Sequence, residues 1–135
     1  MVVSQPWTGG RTIVVDDNAS AAAMLAEFLR LIGHDSEILP ITTVRDMADG
    51  ILARAPDVAF VDISLAGIDG RDIAATLRAS GCNAHLIAIT GFSRPEDVQS
   101  TREAGFDEHW TKPLDVDRVE RFMATPPPRR VRAGT

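Results

Sequence analysis

An open α/β fold, with a parallel sheet covered by helices on both faces, is what this sequence predicts. Short apolar runs recur with helix-length segments between them: Thr12 to Val15, Val58 to Val61, Leu86 to Ile89, and a less apolar run at His109-Trp110-Thr111. Val58 to Val61 is unbroken rather than alternating, as expected of a parallel strand buried on both faces, so it belongs near the centre of the sheet. The intervening segments place apolar residues close to the 3.6-residue period of an amphipathic helix.

Met1 to Gly10 holds Pro6, Gly9 and Gly10 and shows no periodicity, which predicts a flexible arm over residues 1–10. The domain is expected over residues 11–125. Asn18 or Ser20 caps a first helix bearing Ala22, Met24, Leu25, Phe28, Leu29 and Ile32, and Gly33 ends it. A strand follows near Ser36 to Leu39. Thr42 or Thr43 caps a second helix with Val44, Met47, Ala48, Ile51 and Leu52, stopped by Pro56. After the third strand, Ile63 to Gly70 reads as a glycine-rich loop, followed by a helix from about Arg71 to Ser80. Leu86 to Ile89 is the fourth strand. Ser93 is the expected cap of a fourth helix with Pro95 in its first turn and Gly105 at its end. That helix is unusually polar, with Val98 and Ala104 as its main apolar anchors, so it belongs among the less stable parts of the domain. A fifth strand at Glu108 to Thr111 and a helix from Asp115 to Ala124 complete the domain, and residues 126–135 form a Pro/Arg-rich tail.

The 135 residues suffice for one domain burying roughly two-thirds of its unfolded surface. Cys82 is the single cysteine, so neither an internal disulfide nor a cysteine metal site is available, and a reducing, cytoplasmic setting is expected. No apolar stretch approaches the roughly 18 residues of a membrane span. The net charge of −5 argues against direct nucleic-acid binding. The one basic cluster, Arg129-Arg130-Val131-Arg132, reads as a solubilising tail or linker stub.

The chemistry gathers at strand ends. The first strand runs into Asp16-Asp17, the third into Asp62, the fourth into Thr90 and the fifth into Lys112-Pro113. Functional groups of open α/β sheets collect outside the carboxyl ends of the strands, so these residues are expected in one pocket. Lys112 is the only lysine beside thirteen arginines. Three converging aspartates repel one another unless a cation balances them, and Mg²⁺, a hard oxygen-seeking ion, suits the site. Asp62 is the natural nucleophile for a phosphoryl group, while a Thr90 hydroxyl and a Lys112 ammonium supply the positioning and charge stabilisation that phosphoryl transfer needs. Pro113 fixes the turn after the lysine, a cis bond being one way to do so.

Residues Ile13 to Asp17, Pro56 to Asp62, Gly67-Ile68-Asp69-Gly70, Ile89-Thr90-Gly91, Glu103 to Asp107 and Thr111-Lys112-Pro113 together resemble a response-regulator receiver domain. The resemblance spans Arg11 to Thr125. It implies a flavodoxin-like (βα)5 three-layer sandwich whose five-stranded parallel sheet has the order 2-1-3-4-5. It also implies phosphorylation of Asp62 by a histidine kinase or histidine phosphotransfer protein, and Mg²⁺ held by Asp16, Asp17, Asp62 and the main-chain oxygen of Ser64. Thr90 and Lys112 would bind the phosphoryl group, with Thr90 coupling it to a downstream protein partner through the fourth helix, fifth strand and fifth helix. Ser64 and Phe92 would border the path of the water that hydrolyses the acyl phosphate. Such a domain is a self-phosphorylating signalling module rather than an enzyme. Only residues 126–135 follow the last helix, so no output domain is expected. A stand-alone regulator, a relay protein and a receiver from a hybrid kinase all remain open.

One position departs from the family pattern. Three residues before Lys112, where receivers commonly carry Tyr or Phe, stands His109, a candidate hydrogen-bonding or pH-sensitive switch. Trp110 faces the opposite side of the strand and reads as core under the last helix. His34 and His85 have no ligand spacing with His109. Three other functions compete. A haloacid-dehalogenase-type aspartyl-phosphate hydrolase expects an aspartate where Ser64 stands. A flavin or nucleotide module expects a glycine-rich phosphate loop where Asp16-Asp17-Asn18 stands. An unphosphorylated scaffold would not require the complete acidic set with Thr90 and Lys112.

Overall fold

The computed structural model describes residues 5–128, which leaves the start of the expected arm and the basic cluster at Arg129 to Arg132 outside the described residues. The elements are β1 (Arg11–Val15), α1 (Ala19–Leu31), β2 (Asp35–Ile38), α2 (Val44–Arg54), β3 (Val58–Asp62), β4 (Ser64–Leu65), β5 (Ile68–Asp69), α3 (Gly70–Ala79), β6 (His85–Thr90), α4 (Pro95–Ala104), β7 (Glu108–Thr111) and α5 (Val116–Phe122). The five-stranded sheet has the order β2-β1-β3-β6-β7, and all its pairings are parallel. With the two-residue strands β4 and β5 set aside, this is the expected 2-1-3-4-5 order of the flavodoxin-like fold. The segment expected as an open loop instead closes into an antiparallel hairpin, Ser64 opposite Asp69 and Leu65 opposite Ile68.

The strands alternate their side chains between two cores. Ile13 and Val15 face α2 and α3, where they meet Met47, Ile51, Ile73 and Leu77. Val14, Phe60, Ile87 and Trp110 face α1 and α5, where they meet Leu25, Leu29, Val119 and Met123. Trp110 is 1% exposed and stands edge-on to Phe122 at 5.4 Å, as expected for core beneath the last helix. Met24 departs from expectation. It is 71% exposed, because the inward stripe of α1 is completed by Ala22, Leu25, Ala26 and Leu29, with Met24 on the outer face.

Helix starts follow side-chain chemistry. Asn18, Thr43, Asp69 and Asp115 each accept a hydrogen bond from a backbone N–H of the first turn they cap. The fourth helix is different. Its cap residue is Arg94, not Ser93, and the orphan Arg94 N–H is satisfied from inside the helix by Asp97 Oδ2 at 3.2 Å. Apolar anchoring of α4 is as weak as expected: Thr101 is its one buried residue.

The arm expected over residues 1–10 is not loose at its inner end. Trp7 N–H donates to the Ala124 carbonyl at 2.7 Å and Gly9 N–H to the Gly33 carbonyl at 2.8 Å. His34, 4% exposed, accepts from Gly10 N–H through Nδ1 at 3.0 Å and therefore donates through Nε2 to the Met123 carbonyl at 3.1 Å. Trp7 packs on the same ring, centroids 4.7 Å apart. These bonds tie the segment before β1 to the ends of α1 and α5. The sequence missed them because they join residues remote along the chain. Gly10 makes the close approach possible. A Cβ there would lie 2.5 Å from the Trp7 ring and 2.9 Å from His34 Nδ1. Gly10→Ala is expected to cost about 1–3 kcal/mol by overpacking, read as a lower denaturation midpoint at unchanged slope.

Candidate functional site

Strand register brings the predicted residues to one edge of the sheet. Val15 lies opposite Val61, so Asp16 and Asp62 leave their strands side by side; Asp62 lies opposite Ile89, and Thr90 opposite Thr111. Lys112 follows, its N–H bonded to the Thr90 carbonyl at 2.8 Å and its peptide bond to Pro113 cis. Residues spread over nearly the whole chain are thus neighbours.

Asp62 is 5% exposed and Asp16 8%, whereas Asp17 is exposed. Lys112 Nζ bridges the two buried carboxylates, 2.7 Å from Asp62 Oδ2 and 3.1 Å from Asp16 Oδ2. The other Asp62 oxygen accepts the Ser64 N–H at 2.9 Å, and Asp16 Oδ1 accepts the Asn18 N–H at 2.9 Å. Asp17 Oδ2 reaches across to the Ala66 N–H at 2.9 Å, so the hairpin is stitched to the end of β1. Burial pushes the Asp62 carboxyl above its ordinary range, helped by the Asp16 charge, and the bonds from Lys112 and Ser64 offset this only in part. Burial also lowers Lys112, but its hydrogen bonds to Asp62 and Asp16 outweigh that and raise it overall. The folded state therefore holds a proton on Asp62 more tightly than the unfolded chain does. Ionised Asp62 costs stability above its folded pKa, and the cost disappears as pH falls through that value. Lys112 works the other way: its contribution is complete below its ordinary pKa and is lost as pH rises through the elevated one.

One carboxylate oxygen from each of Asp16, Asp17 and Asp62 lies within 4.8 Å of the others. The donors are hard oxygens, two buried and one exposed, which fits an ion such as Mg²⁺ that keeps part of its water shell. Ser64 itself is exposed and contributes main chain to the pocket.

The two predicted switch residues both bond to the Phe92 main chain. Thr90 is 5% exposed and sits at the strand end as expected, but its Oγ1 accepts the Phe92 N–H at 3.1 Å. His109 lies outside the acidic pocket, with Nε2 2.7 Å from the Phe92 carbonyl and Nδ1 3.0 Å from Thr101 Oγ1. Phe92 is 62% exposed beside the site.

Gly70 is the site residue whose role the sequence concealed. It was expected to permit a turn, yet the positive-φ glycine of this loop is Gly67, at +89°. Gly70 is required by close approach, since a Cβ there would collide with the Asp62 carbonyl oxygen. Arg71 is the second. It forks onto Asp69 and donates to Ser100 Oγ at 2.8 Å, joining the start of α3 to α4. No local pattern marks either contact.

The family model for the response regulator receiver domain matches residues 12–123. The chain is 32% identical over 109 residues to the DNA-binding response regulator MtrA of Mycolicibacterium paratuberculosis, covering 77% of this chain and 45% of that protein. It thus spans less than half of that relative. It is 23% identical over 109 residues to sporulation initiation phosphotransferase F of Bacillus subtilis, covering 81% of this chain and 86% of that one. Among solved structures, the signal receiver domain of a modulated diguanylate cyclase from Desulfovibrio desulfuricans superposes with a TM-score of 0.72 at 31% identity, over 86% of this chain and 93% of that one.

Proposed function

Because this chain belongs to the response-regulator receiver family, we propose that Asp62 is its phosphoacceptor, that Asp16, Asp17, Asp62, Thr90 and Lys112 form the transfer site, and that α4, β7 and α5 carry the signal to a downstream protein. The supporting observation is the buried Asp62 at the end of the central strand, held by the only lysine at 2.7 Å. The donor is a phosphohistidine of a histidine kinase or phosphotransfer protein. As one Asp62 oxygen bonds to phosphorus, the N–P bond breaks and its electron pair stays on the imidazole nitrogen. Lys112 then turns from the carboxylate to the phosphoryl oxygens, and the Thr90 side chain swings so that its hydroxyl, which accepts the Phe92 N–H at rest, leaves that donor and donates to a phosphoryl oxygen. Mg²⁺, when held by Asp16, Asp17, Asp62 and the main-chain oxygen of Ser64, supplies the positive charge that lets carboxylates and phosphoryl group share one pocket. A cytoplasmic setting and the absence of direct nucleic-acid contact belong to the same reading, in keeping with the net charge of −5. Among the described residues no helix is long and apolar enough to cross a membrane.

The test is incubation with acetyl phosphate and Mg²⁺, read by intact mass. One added phosphoryl group is expected in the wild type and none in Asp62→Asn or with EDTA. Full phosphorylation of Asp62→Asn would overturn the assignment.

Acyl-phosphate lifetime is set beside the pocket. Phe92 borders the path of the attacking water in this reading, and its exposed ring has no group that can orient water. Phe92→Glu is expected to hasten decay of phosphorylated protein by about 100-fold, the lower end of what a positioned general base contributes. Decay that is unchanged or slower would remove Phe92 from the water path.

A further inference from the structure

We propose that Thr90 is linked to α4 by a hydrogen-bonded relay through the Phe92 main chain, His109 and Thr101, so that activation frees α4 by breaking bonds rather than by vacating space. This rests on the phosphoacceptor reading above. The links are contiguous. Thr90 Oγ1 accepts the Phe92 N–H, the Phe92 carbonyl accepts from His109 Nε2, and His109 Nδ1 meets Thr101 Oγ1. One residue, Phe92, thus holds the sensing hydroxyl with its N–H and the histidine with its carbonyl.

Proton counting sets the direction of each bond. A carbonyl only accepts, so His109 carries its proton on Nε2. In a neutral ring Nδ1 is then an acceptor, and the Thr101 hydroxyl must donate to it. That hydroxyl also lies 2.9 Å from the Val98 carbonyl, but it has a single proton, so the ring competes with the helix for it. Thr101 is 3% exposed and is the only buried residue of α4, so if the ring departs its proton passes to the Val98 carbonyl inside the helix, and the tie between α4 and β7 is lost. A helix with so little apolar contact depends on such polar ties. Arg71 to Ser100 is the tie on its other flank.

When Thr90 turns to a phosphoryl oxygen, the Phe92 N–H loses its acceptor, and the peptide unit that positions the Phe92 carbonyl is free to reorient. His109 then loses its fixed partner, and α4 loses its hold on β7. Of the charged groups around the same notch, Asp107 pairs with Arg78 of α3, Glu108 bonds to His85 and Trp110, and Arg102 lines it from α4 itself.

The test uses Thr101→Val, His109→Phe and the double variant, with Thr101→Ser as the hydroxyl-retaining control. In unphosphorylated protein, amide exchange over residues 95–104 is expected to rise about tenfold in each single variant, as for one lost hydrogen bond, and no further in the double. Thr101→Ser should stay near wild type. The imidazole ¹⁵N spectrum of His109 should show the Nε2–H tautomer at rest and lose that pattern once beryllofluoride occupies Asp62. Effects that add in the double variant, or a resting spectrum that persists with beryllofluoride bound, would overturn the relay. Failure of beryllofluoride to bind would instead remove the phosphoacceptor reading, while exchange in the resting protein would still decide whether Thr101 and His109 act as one chain.

Discussion

Lys112→Arg is expected to slow phosphorylation of Asp62 by about 100-fold, the order seen when a charge-stabilising donor is removed from a transition state, although the positive charge is kept. The ammonium spans two carboxylates that are 5% and 8% exposed, at 2.7 and 3.1 Å. A compact group with three rotatable donors can do this and then turn to a phosphoryl oxygen. A planar guanidinium is larger and presents its donors in a fixed fork, so it holds the carboxylates in a different place and cannot pivot as a compact ammonium does to follow the transferred group. Mg²⁺ binding should survive, because the acidic oxygens remain. Intact-mass time courses with acetyl phosphate measure the rate, and magnesium titration checks the pocket. A wild-type rate in Lys112→Arg would show that net charge alone is what the site requires.

Gly70→Ala is expected to damage stability and function together. The new Cβ would collide with the Asp62 carbonyl oxygen and lie 2.9 Å from Ile63 Cα and 3.1 Å from the Asp62 carbonyl carbon. All three are main-chain atoms, so no side chain can swing aside. Either the end of β3 moves or the Gly70 N–H bond to the Ile63 carbonyl opens. The expected cost is about 2–3 kcal/mol from overpacking. Phosphorylation should slow by about 100-fold, because a shift of 1 Å at a reacting group has consequences of that order. Gly67→Ala is the comparison. It has open space around it and a φ of +89°, so it should cost only about 1–2 kcal/mol of backbone strain and leave the rate nearly unchanged. Equal effects at the two glycines would mean that loop conformation, not close approach to Asp62, governs the site.

The site was legible to very different degrees along its length. Asp16, Asp17, Asp62 and Lys112 could be placed together before any coordinates, because a parallel sheet delivers whatever follows each strand to the same edge, and the apolar runs marked where each strand stops. Thr90 was placed correctly as a position, but its resting partner, the Phe92 N–H, was not. Hydroxyl rotors follow the nearest available donor, and that donor depends on the path of the loop. The fifth strand matched residue for residue, whereas the cap of α4 moved from Ser93 to Arg94. There Asp97 Oδ2 accepts the Arg94 N–H from within the helix and the Arg94 carbonyl accepts the Asp97 N–H, so the serine one residue earlier lies outside the first turn.

Thr101 shows the boundary most clearly. In sequence it is one more polar residue on a helix short of apolar anchors, and the inference that α4 is weakly held follows from composition alone. Only the packed molecule shows that this threonine is the buried one and that His109 reaches it. The same holds for Trp7 and His34, whose bonds close on the end of α5, and for Gly70, whose need for no side chain comes from Asp62. Periodicity, capping residues and strand-end chemistry are local, set by dihedral preferences and by which side chains a short segment can bury, so they can be read along the chain. Which hydroxyl meets which ring, and which glycine lies against which carbonyl, depends on ångström-scale distances between segments far apart in sequence, and those are decided when the two cores close on the sheet.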